Sequence, residues 1–210
     1  MHAPLSAGKL GIILLLLMVP LGLQAQEKEN SMDISITQDA ASNFRGGIRT
    51  GVAQLGLINL DFSLSSESMN LWSNGTFRIH LQNTYGQKPT ETLVGDAQVF
   101  SNIENGNYTY LYQFWYRHDF GRFSILAGKH DLNEVFFTSE MAGTYINSSF
   151  GIMPVASMNV PVSIFPSTTL GLIGSYGITQ HVTIKGGVYN GVPGEITASN
   201  LGTDLNLARH

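Results

Sequence analysis

The chain has 210 residues, no cysteine and a formal net charge of −4, which excludes disulfides, thiolate metal sites and a cysteine nucleophile. Since no run of basic residues occurs, nothing in the charge favours nucleic-acid binding. Charged residues make up only 12% of the chain, aromatic residues make up 10%, and glycine occurs 23 times. This composition is typical of a transmembrane β-barrel, whose outer face is apolar and whose ends carry aromatic girdles.

The first 25 residues are predicted to be a cleaved secretory signal peptide. Lys9 supplies a positive charge, Leu10 to Leu23 is almost entirely apolar, and Gln24-Ala25 puts a small residue before the expected cut. A membrane anchor is the alternative, but about fourteen apolar residues are too few to cross a bilayer comfortably. Residues 26–43 are polar and mixed, and we predict a flexible leader there.

From about residue 48 onward, apolar residues alternate with polar ones, which indicates β-strands with one apolar and one polar face. In the third such segment, the alternation predicts Tyr110 and Tyr112 on the apolar face with Phe114, and Gln113 and Trp115 on the polar face. The six segments with the pattern are LDFSLS (60–65), TFRIHLQNTY (76–85), YLYQFWYRHDF (110–120), RFSILAGKH (122–130), TLGLIGSY (169–176) and HVTIKGGVY (181–189).

Short turns alternate with long connections between these segments. The turns contain Asn74-Gly75, Gly121 and Gly177, whereas the long connections cover residues 86–109 and 131–168. Outer-membrane barrels have this asymmetry, with periplasmic turns and external loops, and soluble domains rarely carry such long irregular loops. A secreted β-sandwich that binds glycans or assists adhesion is the alternative. Because barrel chains start on the periplasmic side, either residues 44–52 form an extra ascending strand or the first turn lies elsewhere.

Several segments in order along the chain resemble the carbohydrate-selective porin family of Gram-negative bacteria, the OprB type. They are VGDAQVFSNI (94–103), LYQFWY (111–116), LAGKHDLNEVFF (126–137), INSSFG (146–151), NVPVSIFPSTTLGL (159–172) and GVYNGVPG (187–194). The resemblance implies a transmembrane antiparallel β-barrel of sixteen strands in the outer membrane, through which small sugars diffuse passively past loops that fold inward. Six or seven strands are recognisable here, so we expect a partial porin domain over residues 44–210 in a truncated or fragmentary chain. A small barrel of eight strands is the alternative.

A sugar channel needs hydrogen-bonding groups on its inner wall and neither a catalytic group nor a cofactor. Charge on the lipid face is costly, so the charged residues of the polar faces are predicted to line the pore, with Trp115 able to stack on a sugar ring. The predicted pore-lining residues are Arg78, His80, Trp115, Arg117, Lys129, Asp131 and Glu134.

Enzymatic and metal-binding functions have no recognisable motif in the chain. No Ser/His pair has the setting of a barrel lipase, and the neighbouring pairs His118-Asp119 and His130-Asp131 would point to opposite faces of a strand. We therefore expect no enzyme activity and no metal site. The expected partners are small sugars, outer-membrane lipid and lipopolysaccharide, with a homotrimer as an open alternative to a monomer and no nucleic acid.

Overall fold

The computed structural model describes residues 30–137, 141–151, 161–197 and 200–203, without the side chains of residues 142, 149 and 151. The described strands form one antiparallel sheet in which each strand pairs with its neighbours in sequence. The strands are β1 Ser31–Asn43, β2 Gly51–Ser65, β3 Gly75–Gly86, β4 Tyr108–Phe120, β5 Phe123–His130, β6 Thr169–Gly177 and β7 Thr183–Tyr189. The all-β antiparallel prediction is confirmed, and a single sheet contradicts the β-sandwich alternative.

In the described ranges, helical segments occur only in the connections and are short. They are a π-helix at Thr90–Val94, α1 at Leu132–Phe136, a 3₁₀ turn at Ala142–Thr144 and α2 at Ser148–Gly151. None of the helices in the described ranges is long and apolar enough to cross a membrane.

The predicted flexible leader is wrong for Ser31–Asn43, which form β1 and pair with β2 along their whole length. Met32, Ile34 and Ile36 share the exposed outer face of β1, and Ser31 and Asp33 lie on the opposite face. The alternation that predicts a strand is therefore present in the leader as well. The extra ascending strand that the sequence analysis considered for residues 44–52 is β1, which lies earlier in the chain. Residues 44–50 only connect β1 to β2. Residues 26–29 and the predicted signal peptide lie outside the described residues.

From β2 onward, the connections at the two ends of the sheet differ in length. At one end, which we call the turn end, residues 66–74, 121–122 and 178–182 connect the strands. At the other end, which we call the loop end, the connections are residues 44–50, 87–107 and 131–168. The predicted alternation of short turns and long loops is confirmed.

The strand register separates an outer and an inner face of the sheet. On the outer face, Phe62 lies opposite Ile79, which lies opposite Phe114. On the inner face, Asp61 lies opposite His80, which lies opposite Gln113. The outer face is therefore lined by apolar side chains and the inner face carries the charged ones, as a barrel wall between lipid and lumen requires.

A β-bulge in β4 interrupts this alternation. The register of β3 and β4 shifts between His80 and Leu81, so that His80 pairs with Gln113 but Gln82 pairs with Tyr110. Tyr112 is the extra residue, and its ring packs edge-on against His80 at 5.1 Å between the ring centroids. Both Tyr110 and Tyr112 are buried on the inner face. The prediction that they lie on the apolar face with Phe114 is wrong, because a bulge inserts one residue and reverses the alternation beyond it.

Towards the loop end, the inner face is covered by the long loops. Leu55 and Leu57 of β2 form a buried cluster with Ile103 of the 87–107 loop, and Phe165 of the 131–168 loop packs against it. We call these four residues the apolar zone. The 87–107 loop is also tied to β1 by a hydrogen bond of 2.7 Å from the Ser101 hydroxyl to the Asp39 carboxylate.

Candidate functional site

The central feature of the inner face is an arginine held between two carboxylates from distant parts of the chain. Arg78 of β3 donates from Nε to both oxygens of Asp61 at 2.9 Å, and from Nη2 to one of them at 2.5 Å. Its Nη1 donates to Oε1 of Glu134 at 2.5 Å. Asp61 lies on the neighbouring strand β2, whereas Glu134 lies on α1 in the 131–168 loop. This loop therefore folds inward over the wall.

Two residues of β4 extend the cluster. Gln113 donates from Nε2 to Oε2 of Glu134 at 2.5 Å and accepts from the Trp115 indole N–H at 3.1 Å. The guanidinium carbon of Arg78 lies 5.8 Å from the Trp115 ring centroid, within the range of a cation–π contact. Glu134 therefore has partners on both β3 and β4.

A second row of hydrogen bonds continues from this cluster towards the loop end. Asn59 Oδ1 accepts from His80 Nε2 at 3.0 Å and from Gln82 Nε2 at 2.9 Å, and the Tyr110 hydroxyl donates to Gln82 Oε1 at 2.8 Å. His80 Nδ1 lies 3.7 Å from the Asp61 carboxylate. The row and the cluster together form what we call the polar zone: Asn59, Asp61, Arg78, His80, Gln82, Gln113, Trp115 and Glu134.

The helix α1 is attached to the wall at both ends. Asp131 caps its N-terminus by accepting from Asn133 N–H at 2.7 Å, and the other Asp131 oxygen accepts from the Tyr112 hydroxyl. Burial raises the pKa of Asp131 above its ordinary value, although both hydrogen bonds favour the carboxylate. At the other end, Lys185 of β7 donates to the carbonyl of Val135 at 3.2 Å.

Four of the seven predicted pore-lining residues come together in the polar zone: Arg78, His80, Trp115 and Glu134. Arg117 lies on the same face nearer the turn end, where it is half-exposed and pairs with Asp119 at 2.7 Å. It does not contact the other predicted residues through any hydrogen bond in the described part of the chain.

Lys129 and Asp131 lie outside the polar zone and are both buried, and their role as pore-lining residues stays a prediction. Lys129 lies opposite Phe114 in the register, and its ammonium is buried and donates to the carbonyl and hydroxyl of Thr168. Asp131 is 6% exposed because it is enclosed between Tyr112 and α1.

Asp61 and Gln113 were not among the predicted site residues, although the structure places both in the polar zone. Asp61 binds Arg78, and Gln113 binds Glu134. The alternation in their segments already places them on the polar faces, next to Phe62 and Phe114, and this signal could have identified them. The alternation also places Lys185 on the polar face of its segment. Nothing in that segment indicates a contact with a loop fifty residues earlier.

The arrangement offers donors, acceptors and an aromatic ring within one small region. A guanidinium, two carboxylates and a carboxamide match the hydroxyl groups of a sugar, and an indole ring can pack against its apolar face. Each charged group already has a protein partner, so a sugar hydroxyl must compete for it. Such competition favours weak binding, which a conducting pore requires so that the solute can leave.

Comparisons with known proteins are consistent with this geometry. The sequence matches the family described as carbohydrate-selective porin, OprB family, over residues 49–209. Among solved structures, Pseudomonas putida OprB at high pH matches with a TM-score of 0.71 and 18% sequence identity. The match covers 85% of this chain and 44% of the Pseudomonas putida OprB chain. This chain therefore spans less than half the length of that protein. None of the curated protein sequences matches. The structural match confirms the predicted porin-barrel fold.

Proposed function

The chain belongs to the carbohydrate-selective porin family of the OprB type. We therefore propose that it provides the wall and the inward-folded loop of a channel through which small sugars diffuse passively. Family membership confirms the predicted outer-membrane localisation in a Gram-negative bacterium. It also indicates a channel protein and not an enzyme.

The observation that carries the proposal is the placement of Arg78 between Asp61 and Glu134, beside Trp115, on the inner face. Of its two carboxylate partners, one comes from the wall and the other from the loop. A sugar that passes between wall and loop meets guanidinium and carboxamide donors together with carboxylate acceptors. It can exchange hydrogen bonds with them stepwise, and it never faces a fully desolvated charge.

The proposal extends to the surroundings of the barrel. The exposed outer-face residues Phe114, Leu172 and Ile184 support contact with outer-membrane lipid and lipopolysaccharide. A homotrimer stays a prediction, which cross-linking of the reconstituted protein followed by denaturing electrophoresis would test.

The first experiment is sugar flux into liposomes that contain the full chain, measured over a range of glucose concentrations. We expect saturable flux. We expect Arg78→Ala to weaken the apparent sugar affinity about tenfold, because a charge-assisted hydrogen bond contributes about 1.5–3 kcal/mol. Arg122→Ala is the control, since Arg122 is an exposed arginine in the turn between β4 and β5, and the sugar affinity of this variant should stay close to that of the unmodified chain. Inserted protein without sugar flux, or equal effects of both variants, would contradict the proposal.

A further inference from the structure

The helix α1 is too short to hold its own position. It has only five residues, Leu132–Phe136, and a helix of this length is unstable without external contacts. Its terminal N–H and C=O groups also lack partners within the helix. The position of Glu134 opposite Arg78 must therefore be set by the residues that anchor α1 to the sheet.

We propose that Tyr112 is a positioning residue, which uses the bulge of β4 to fix α1 and thereby sets how closely Glu134 approaches Arg78. The effect of this positioning on sugar passage rests on the proposed function. Tyr112 itself contacts neither Arg78 nor Glu134 through a hydrogen bond; it acts through Asp131, the N-cap of α1.

The bulge makes this contact available. Gln113 faces inward opposite His80, so in a regular strand its neighbour Tyr112 would face outward. Because Tyr112 is the inserted residue, two consecutive side chains of β4 reach the inner face. Tyr112 then binds the start of α1 through Asp131, and Gln113 binds Glu134 one turn later. Two adjacent residues of one strand thus fix two points of the helix.

The far end of α1 has a separate anchor. Lys185 of β7 donates to the Val135 carbonyl, one of the last carbonyls of the helix. Lys185 is exposed and has a long side chain, whereas Tyr112 is only 5% exposed and rigid. Tyr112 is therefore the anchor that sets the position of α1, and Lys185 limits the movement of the C-terminal end of the helix.

The position of α1 can be measured directly, because the chain contains no cysteine. Cysteines introduced as Phe137→Cys, just after α1, and Arg122→Cys, in the turn between β4 and β5, would carry two spin labels. Both native side chains are exposed. The label-to-label distance distribution is then recorded by pulsed electron resonance on the full chain in lipid.

The test variant is Tyr112→Phe, which removes the hydroxyl and keeps the ring. Tyr110→Phe is the matched control, since Tyr110 is also buried on the inner face of β4 but its hydroxyl binds Gln82. Loss of one hydrogen bond should raise the displaced population of α1 about fivefold in Tyr112→Phe. The distribution in Tyr110→Phe should match that of the unmodified chain. Equal distributions in the two variants would overturn the proposal.

Two variants at Asp131 keep the test decisive if Tyr112→Phe does not fold. Asp131→Ala removes both the cap and the tyrosine contact, so it should displace α1 at least as much. Asp131→Asn keeps an acceptor for Asn133 N–H and a donor towards Tyr112, so it should restore the original distance. An undisturbed helix in Asp131→Ala would overturn the proposal.

Liposome flux on the same proteins separates this inference from the proposed function. Displacement of α1 should increase small-ion conductance and weaken saturable sugar uptake in Tyr112→Phe. Displacement without any sugar flux in the unmodified chain would refute the sugar-pore function and support the anchor. Sugar flux with an immobile α1 in Tyr112→Phe would refute the anchor and support the function.

Discussion

The apolar zone and the polar zone lie on the same inner face and share the strand β2, yet they are built differently. Leu55 and Leu57 pack against loop residues, whereas Asp61, further along the same face, holds Arg78. The apolar zone is stabilised by burial under the loops, and the polar zone by ion pairs and hydrogen bonds. The comparison shows that a polar residue of the inner face can be buried, as Gln82 and Gln113 are, when hydrogen bonds to neighbouring side chains satisfy it.

The largest expected effect concerns stability in the apolar zone. Leu55→Ala should lower the free energy of unfolding by about 2–5 kcal/mol, because it leaves a cavity beneath the loops. Leu60→Ala, on the outer face of the same strand, is the control and should cost less, since lipid or detergent can fill the space. Urea unfolding of the refolded chain, followed by tryptophan fluorescence, measures both. A larger loss in Leu60→Ala would contradict this assignment of the two faces.

An intermediate effect is expected in the polar zone. Asp61→Ala removes the carboxylate that binds Arg78 through Nε and Nη2, and it should cost about 1.5–3 kcal/mol of unfolding free energy. Asp119→Ala breaks the more exposed pair with Arg117 and should cost at most about 1 kcal/mol. The same urea titration compares them. If the two losses are equal, the polar zone is no more than an ordinary solvated surface.

The smallest expected effect is a pH dependence in the loop that covers the apolar zone. Burial raises the pKa of Glu104 above its ordinary value of 4.5, although the N–H and hydroxyl of Thr90 donate to its carboxylate. The folded chain therefore binds this proton more tightly than the unfolded chain does. The resulting stabilisation is complete below pH 4.5 and is lost as the pH rises through the raised pKa.

Glu104→Gln should remove this contribution, so its unfolding free energy should depend less on pH across that window than that of the unmodified chain. Asp96→Asn, in an exposed carboxylate of the same loop, is the control and should leave the dependence in place. Urea unfolding at pH values below and above the window gives the comparison. The assignment to Glu104 fails if its variant keeps the full dependence.

Local pattern was sufficient to predict which side of a strand most residues occupy. Phe62, Ile79 and Phe114 share the outer face as predicted, because successive side chains of a strand point to opposite sides. The same rule applied to Met32, Ile34 and Ile36 would have identified β1. The high polar content of residues 26–43 led to the prediction of a flexible leader, although these three apolar residues alternate regularly with polar ones.

Contacts between strands and loops could not be predicted from the sequence. Asp61 and Arg78 do not lie directly opposite each other; the register pairs Asp61 with His80 and Ser63 with Arg78. Their contact depends on a diagonal reach across the two strands, and on the 66–74 turn that sets the register. The partnership of Arg78 with Glu134 depends in addition on a loop that folds back over the wall.

The sequence by itself determined the class of the molecule: alternating strands, short turns against long loops, and a family resemblance that the comparisons confirm. These properties depend on residues close together in the chain. Only the tertiary structure decided which polar residues meet, because the bulge at Tyr112, the strand register and the inward path of α1 arise from pairing between distant segments. That is why Arg78 and Glu134 could be predicted separately as pore-lining residues, while their contact with each other and the anchor Tyr112 could not.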